Sequence, residues 1–169
     1  MPEKETIERA RQDQREGKAP TTQAGEFIRE EFDHIREGKH GARSAKQAIA
    51  IGLSKARRAG VALPPPKKGT VSEKSRHSAK NAYRQRQSDA GHMPSRTRAR
   101  ATMRALKKEG TQAASHTAIS RQVTKAAHQR TAEERSASAR HAAQTRTPAQ
   151  RSASARKAAR TRARHQQEG

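Results

Sequence analysis

The sequence predicts a mostly α protein: a small helical hairpin over residues 21–63, followed by a largely disordered or conditionally helical basic tail. Three observations point there. Leu, Ile, Val and Phe together number 14 of 169 residues, far below the roughly 20% under which a highly charged chain is expected to stay largely unfolded. Half of the 18 large apolar residues (Val, Ile, Leu, Met, Phe, Tyr) fall between 21 and 63, and only Ile119 and Val123 follow residue 110. The formal net charge of +22 is divided unevenly, about −2 over residues 1–40 and +24 over 41–169. Alanine supplies 32 residues, which favours helix while burying little surface.

The elements follow in order. Residues 1–20 form a polar N-terminal segment in which Ile7 is the only large apolar residue after Met1, a weak helix at best. Thr21 or Thr22 can cap a helix running to about Glu37, with Ala24, Ile28, Phe32 and Ile35 as one apolar face. Glu26, Glu30, Asp33 and Glu37 repeat at i, i+4, i+7 and i+11, an acidic face on which the basic tail could dock. After Gly38 and Gly41, Ser44 opens a capping box with Gln47 and a helix to about Ala59, its stripe Ala45, Ile49, Leu53 and Ala56. Gly60 before Val61 fits a left-handed C-cap. Pro64, Pro65 and Pro66 stop any helix, and 64–70 is a proline-rich linker. So few large residues suggest that the hairpin at 21–63 homodimerises or packs loosely.

Residues 71–169 are the basic Ala/Arg-rich tail, with 16-residue repeats at 115–162. TAEERSASARHAAQTR (131–146) and TPAQRSASARKAARTR (147–162) agree at 11 of 16 positions, and SHTAISRQVTKAAHQR (115–130) is a degenerate copy. Each good copy opens with helix-start chemistry: Thr131 with Glu134, then Thr147 with Pro148 and Gln150. Helices this short are marginal in isolation, so folding on an anion is the expectation.

The stretches HIREGKHGARS and KQAIAIGLSKARRAG carry a resemblance to a family of small, uncharacterised basic proteins from proteobacteria, over roughly residues 1–70. That resemblance implies a bacterial intracellular setting and no particular activity. The tail is loosely similar to Ala/Arg-rich basic repeats of bacterial stress-associated proteins.

Enzymatic chemistry finds little support. Cys is absent, and no glycine-rich loop precedes a Lys-Ser/Thr pair in a phosphate-cradling frame. Of the eight histidines only His34 and His40 fall close together in the expected fold, with no cysteine and no tight carboxylate partner to complete a zinc site. No cofactor and no metal are expected. No apolar run approaches a membrane span and the N-terminus lacks a secretory core, which suggests a cytoplasmic protein without a membrane partner.

The expected function is therefore nucleic-acid binding, to DNA or RNA, with low sequence specificity and through phosphate contacts. The architecture would be nucleoid-associated or linker-histone-like. Candidate contacts are Lys39, Arg43, Lys55, Arg57 and Arg58 in the hairpin, and Arg96, Arg98, Arg100, Arg104, Lys107 and Lys108 beyond the linker. The repeats add Arg135, Arg140, Arg146, Arg151, Arg156, Arg160 and Arg162. Two alternatives remain: a ribosome- or RNA-associated basic protein, and a protein-interaction hairpin whose tail recruits it to polyanions.

Overall fold

A computed structural model describes residues 2–85 and 95–167. Among these residues the chain is all-helical. Its helices are α1 (Lys4–Arg15), α2 (Pro20–Arg36), α3 (Ala45–Arg58), α4 (Glu73–Gln85) and α5 (Arg96–Lys107). A 3-10 turn (Gln112–Ala114), α6 (His116–His128), α7 (Ala132–Thr145) and α8 (Pro148–Gln167) follow. Two compact units divide the chain, residues up to 123 and residues from 124 on, the boundary falling within α6.

The hairpin with a disordered or conditionally helical tail is not what the chain adopts. The described part of 71–169 is helical over most of its length, and local capping explains why. Ser72 Oγ accepts from Ser75 N–H at 3.2 Å ahead of α4, and Ser115 Oγ accepts from Ala118 N–H at 3.2 Å ahead of α6. Thr131 and Glu134 form a reciprocal capping box on α7 at 3.1 and 3.2 Å. Thr147 and Gln150 repeat it on α8 at 3.0 and 3.3 Å. Each box satisfies two of the amide groups that a helix start leaves open. The bodies between are Ala and Arg, both strong helix formers. The same expectation extended over residues 86–94, which lie outside the described residues.

The polar N-terminal segment is also a full helix rather than a weak one. Packed against α2, α1 buries Thr6, Ala10 and Asp13. α2 begins two or three residues earlier than expected, with Pro20 at its first position and Ala19 as N-cap, so neither Thr21 nor Thr22 caps it. Ser44 does cap α3, its Oγ accepting from Gln47 N–H at 3.2 Å, while Gln47 reaches back to Arg43 N–H at 2.8 Å.

Three helices end in the same device. After α1, α2 and α3 the chain passes through Gly17, Gly38 and Gly60 at φ +70°, +72° and +100°. Each makes the paired bonds of a Schellman motif; at Gly60 these are Gly60 N–H to Arg57 O (3.2 Å) and Val61 N–H to Ala56 O (3.0 Å). Beyond it, the buried Arg57 guanidinium donates to Leu63 O at 3.1 Å and Pro64 O at 3.2 Å, latching the proline segment onto the end of α3.

The core lies along the α2–α3 pair in two clusters. One joins Phe32, Ile35, Ala42, Ala45 and Ala48 to Ala113 and Ala114 of the 3-10 turn. The other joins Ala24 and Phe27 to Ala10, Ala56, Val61 and Leu63. The two helices come very close at Gly52, where an added Cβ would stand 2.8 Å from Ile28 Cα. Residues outside 21–63 therefore complete the core, and a second copy of the chain is not required to cover it.

Candidate functional site

Two sets of side chains carry chemical character: exposed basic residues on the later helices and a buried polar cluster on α2. In α5, Arg96, Arg100, Arg104 and Lys107 recur at i, i+4, i+8 and i+11, so they line one face of a helix about 18 Å long. All four are exposed, as are Arg98 and Lys108. In α7 and α8 the exposed side chains of Arg135, Arg140, Arg151, Arg156, Arg160 and Arg162 are distributed around the helix rather than along one face, and Arg146 is exposed between the two. Among the described residues, none of these basic side chains has an ion-pair partner; Arg135 instead donates to Arg130 O at 2.6 Å.

The five basic candidates before residue 64 meet different fates. Arg58 is exposed and donates to Ser54 O at 3.2 Å. Arg43 is exposed, 3.6 Å from Glu109 Oε1. Lys39 lies 2.9 Å from Glu37 and 3.3 Å from Glu3, and the Glu37 hydrogen bond, with that of Glu3, raises its pKa. Lys55 is enclosed between Glu31 (2.7 Å) and Glu30 (3.3 Å). Arg57 is the latch described above, its pKa lowered by burial. A phosphate could reach Lys55 or Arg57 only by breaking bonds that hold the fold, so these two are structural.

The acidic face of α2 is likewise engaged. Glu26 takes Arg9 at 2.8 Å, Glu30 takes Lys55 and the Glu3 amide (3.2 Å), Asp33 takes Arg36 at 2.9 Å, and Glu37 takes Lys39. A face filled by α1, α3 and its own helix has little left to offer a docking tail.

Within that region a cluster gathers that the sequence reading missed. Glu31 and His34 are three residues apart on α2, and His40 follows the glycine turn. The loop carrying His40 is pinned by Gly41 N–H to Leu106 O at 3.0 Å and Ala42 N–H to Gly110 O at 3.2 Å. Gly41 lies against the Glu109 carbonyl with no room for a Cβ. One donor atom from each of Glu31, His34 and His40 lies within 4.8 Å of the others. The two rings meet edge to face, with centroids 6.1 Å apart. His34 Nε2 sits 2.9 Å from Glu3 Oε1, and that contact, followed by Lys39, holds the Glu3 carboxyl below its ordinary range. The histidine pair thus has the carboxylate partner that the sequence reading denied it. The signal was present as Glu31-x-x-His34, a spacing that puts both groups on one helix face, but Glu31 read as one more surface acid.

Among the described residues no helix is long and apolar enough to cross a membrane. A family described as a family of unknown function (DUF6496) matches residues 26–68, the segment from α2 to the proline stretch. The match supports an uncharacterised domain in this part of the chain and carries no activity with it. No curated protein and no solved structure matches the chain.

Proposed function

We propose that the protein binds nucleic acid with low sequence specificity, through phosphate contacts made by its later helices. One observation carries the reading: between residues 124 and 167 eleven Lys and Arg stand against two acids, on exposed helices. Counterion release on phosphate contact makes such a surface bind polyanions whatever their sequence. Arginine outnumbers lysine there nine to two, and its planar fork suits bidentate phosphate contacts. The α5 stripe of Arg96, Arg100, Arg104 and Lys107 adds a second basic surface, while Arg43 and Arg58 contribute at the margins. Base reading has no support from the chemistry: Phe27, Phe32 and Tyr83 are the only aromatic residues, and the two phenylalanines are buried. The setting this function implies is the nucleoid.

The test is the salt dependence of binding to duplex DNA, with structured RNA and heparin as competitors at the same ionic strength. If about eight phosphates are engaged, log K falls with log salt at a slope of roughly −7. Binding that is absent, or that does not respond to salt between roughly 50 and 200 mM, overturns the reading. A strong preference for RNA keeps the phosphate mechanism and moves the partner.

A further inference from the structure

We propose that Glu31, His34 and His40 form a three-ligand binding site for one divalent transition-metal ion of the zinc class, which would tie the end of α2 to the loop before α3. The site is independent of nucleic-acid binding and lies on different residues.

The Glu31 carboxylate is 0% exposed and receives no hydrogen bond at either oxygen. Lys55 Nζ lies 2.7 Å from Oε2 and neutralises it from one side, without the alignment of a hydrogen bond. The other oxygen, Oε1, faces His40 Nε2 at 3.4 Å. His40 Nδ1 lies 3.1 Å from Gly41 O. A carbonyl only accepts, so Nδ1 carries the proton, and in the neutral ring Nε2 is a bare lone pair. Two lone pairs then face each other in a buried place; Lys55 neutralises the carboxylate at its other oxygen, and a cation between Oε1 and Nε2, either a second proton on the imidazole or a metal ion, would satisfy both.

Three observations favour the metal. Tetrahedral zinc with ligands at about 2.1 Å sets its donor atoms roughly 3.4 Å apart, the separation already found between His40 Nε2 and Glu31 Oε1. His34 brings a third donor within 4.8 Å of both; its side chain is 14% exposed, at the margin of the cluster, with Nε2 2.9 Å from Glu3 Oε1. The charges nearby favour a dication as well: among the described residues, Glu3, Glu30, Glu31 and Glu37 stand with two lysines, Lys39 and Lys55, linked to them in the same network. The Gly41 carbonyl that fixes the His40 tautomer is the kind of outer partner that metal-ligating histidines use. Two imidazoles and a carboxylate suit zinc by ligand type, and three protein ligands leave the fourth tetrahedral position to a water molecule.

The experiment uses the full chain, stripped with a chelator and then titrated with Zn²⁺ by calorimetry, with Co²⁺ as the spectroscopic probe. The expected result is one tight site per chain, cobalt bands of low-symmetry four-coordinate type, and a higher melting temperature on loading. His34→Gln, at the edge of the cluster, should keep the fold by circular dichroism and weaken that site more than tenfold; His40→Gln should do the same. Six other histidines give weak background binding, which these variants would leave unchanged. No tight site in the parent, or a tight site of equal affinity in His34→Gln, overturns the proposal. So does a ¹⁵N spectrum showing both His40 nitrogens protonated and indifferent to added zinc, which would make the cluster an imidazolium–carboxylate pair.

Discussion

Charge plays opposite parts in the two compact units. Around α2 the acids and bases engage one another: Arg9 with Glu26, Lys55 with Glu30 and Glu31, Lys39 with Glu37 and Glu3. In the second unit Arg140, Arg146, Arg151, Arg156, Arg160 and Arg162 stand without acidic partners among the described residues, on a stretch that exposes most of its surface. The first arrangement contributes to holding one fold. The second contributes little to folding, since like charges repel, and leaves its cations open to a polyanion. Charged residues can thus tie a fold together in one stretch and stand open in another; what separates them is whether acids of matching reach lie nearby.

The widest break in that comparison comes from removing the unpartnered charge. Replacing Arg140, Arg146, Arg151, Arg156, Arg160 and Arg162 with Gln should flatten the salt slope of DNA binding by about 5 if each meets one phosphate, and lower affinity by orders of magnitude at low salt. Stability of the first unit should change by less than about 0.5 kcal/mol, as for exposed positions generally. Fluorescence anisotropy at several salt concentrations, beside urea denaturation, reads both. A variant that unfolds the first unit would place those arginines in the fold rather than on its surface.

Next in size is a change confined to the helix pair. Gly52→Ala puts a methyl group 2.8 Å from the Ile28 backbone, where no flexible side chain can yield. Forcing α2 and α3 apart should cost about 1–3 kcal/mol, seen as a lower urea midpoint. Affinity for DNA at fixed salt should hold, because the basic helices of the second unit do not depend on that crossing for their charge. A stability change within error would mean the two helices slide apart freely.

The Gly52 contact also marks the limit of what residue patterns reveal. Signals complete within four or five residues were legible: the Ser44 cap, the Gly60 turn, and the Thr131 and Thr147 boxes depend only on neighbours along the chain. Burial of small residues was not. Ala24, Ala48 and Ala56 are fully buried, and Ala113 and Ala114 nearly so, yet an alanine carries no mark of which helix will approach it. Counting only large apolar residues underestimated the core, because Ala and Gly let helices approach closely and gain contacts that area alone does not register. The expectation of a weak α1 failed for the same reason: Thr6 and Ala10 look like ordinary surface positions until α2 lies over them. The Glu31 cluster was hidden differently. Its spacing to His34 was readable, but its burial depends on Lys55 from another helix and on a loop fixed by residues 106–110.

The smallest expected effect tests whether the network around α2 is cohesive or merely neutral. Glu3 sits ahead of α1 and its carboxyl is held below its ordinary value of 4.5 by His34 first and Lys39 second. A carboxyl with a depressed folded-state pKa binds more protons in the unfolded chain, so its contribution is complete above 4.5 and is lost as the pH falls through the lower folded value. Acidification below about 4.5 should therefore loosen the seat of α1 on α2. Glu3→Gln should blunt that loss, having no charge to lose. The group is exposed, which keeps the effect small. Urea midpoints of parent and variant between about pH 5 and 3 measure it, as the difference between two slopes. Glu16, lowered in the same sense by Lys18 and then Gln12, supplies a parallel acid response that the variant leaves in place. If the two slopes coincide, the contacts of Glu3 with His34 and Lys39 do not hold α1, and the α1–α2 contact rests on Thr6, Ala10 and the Arg9–Glu26 pair.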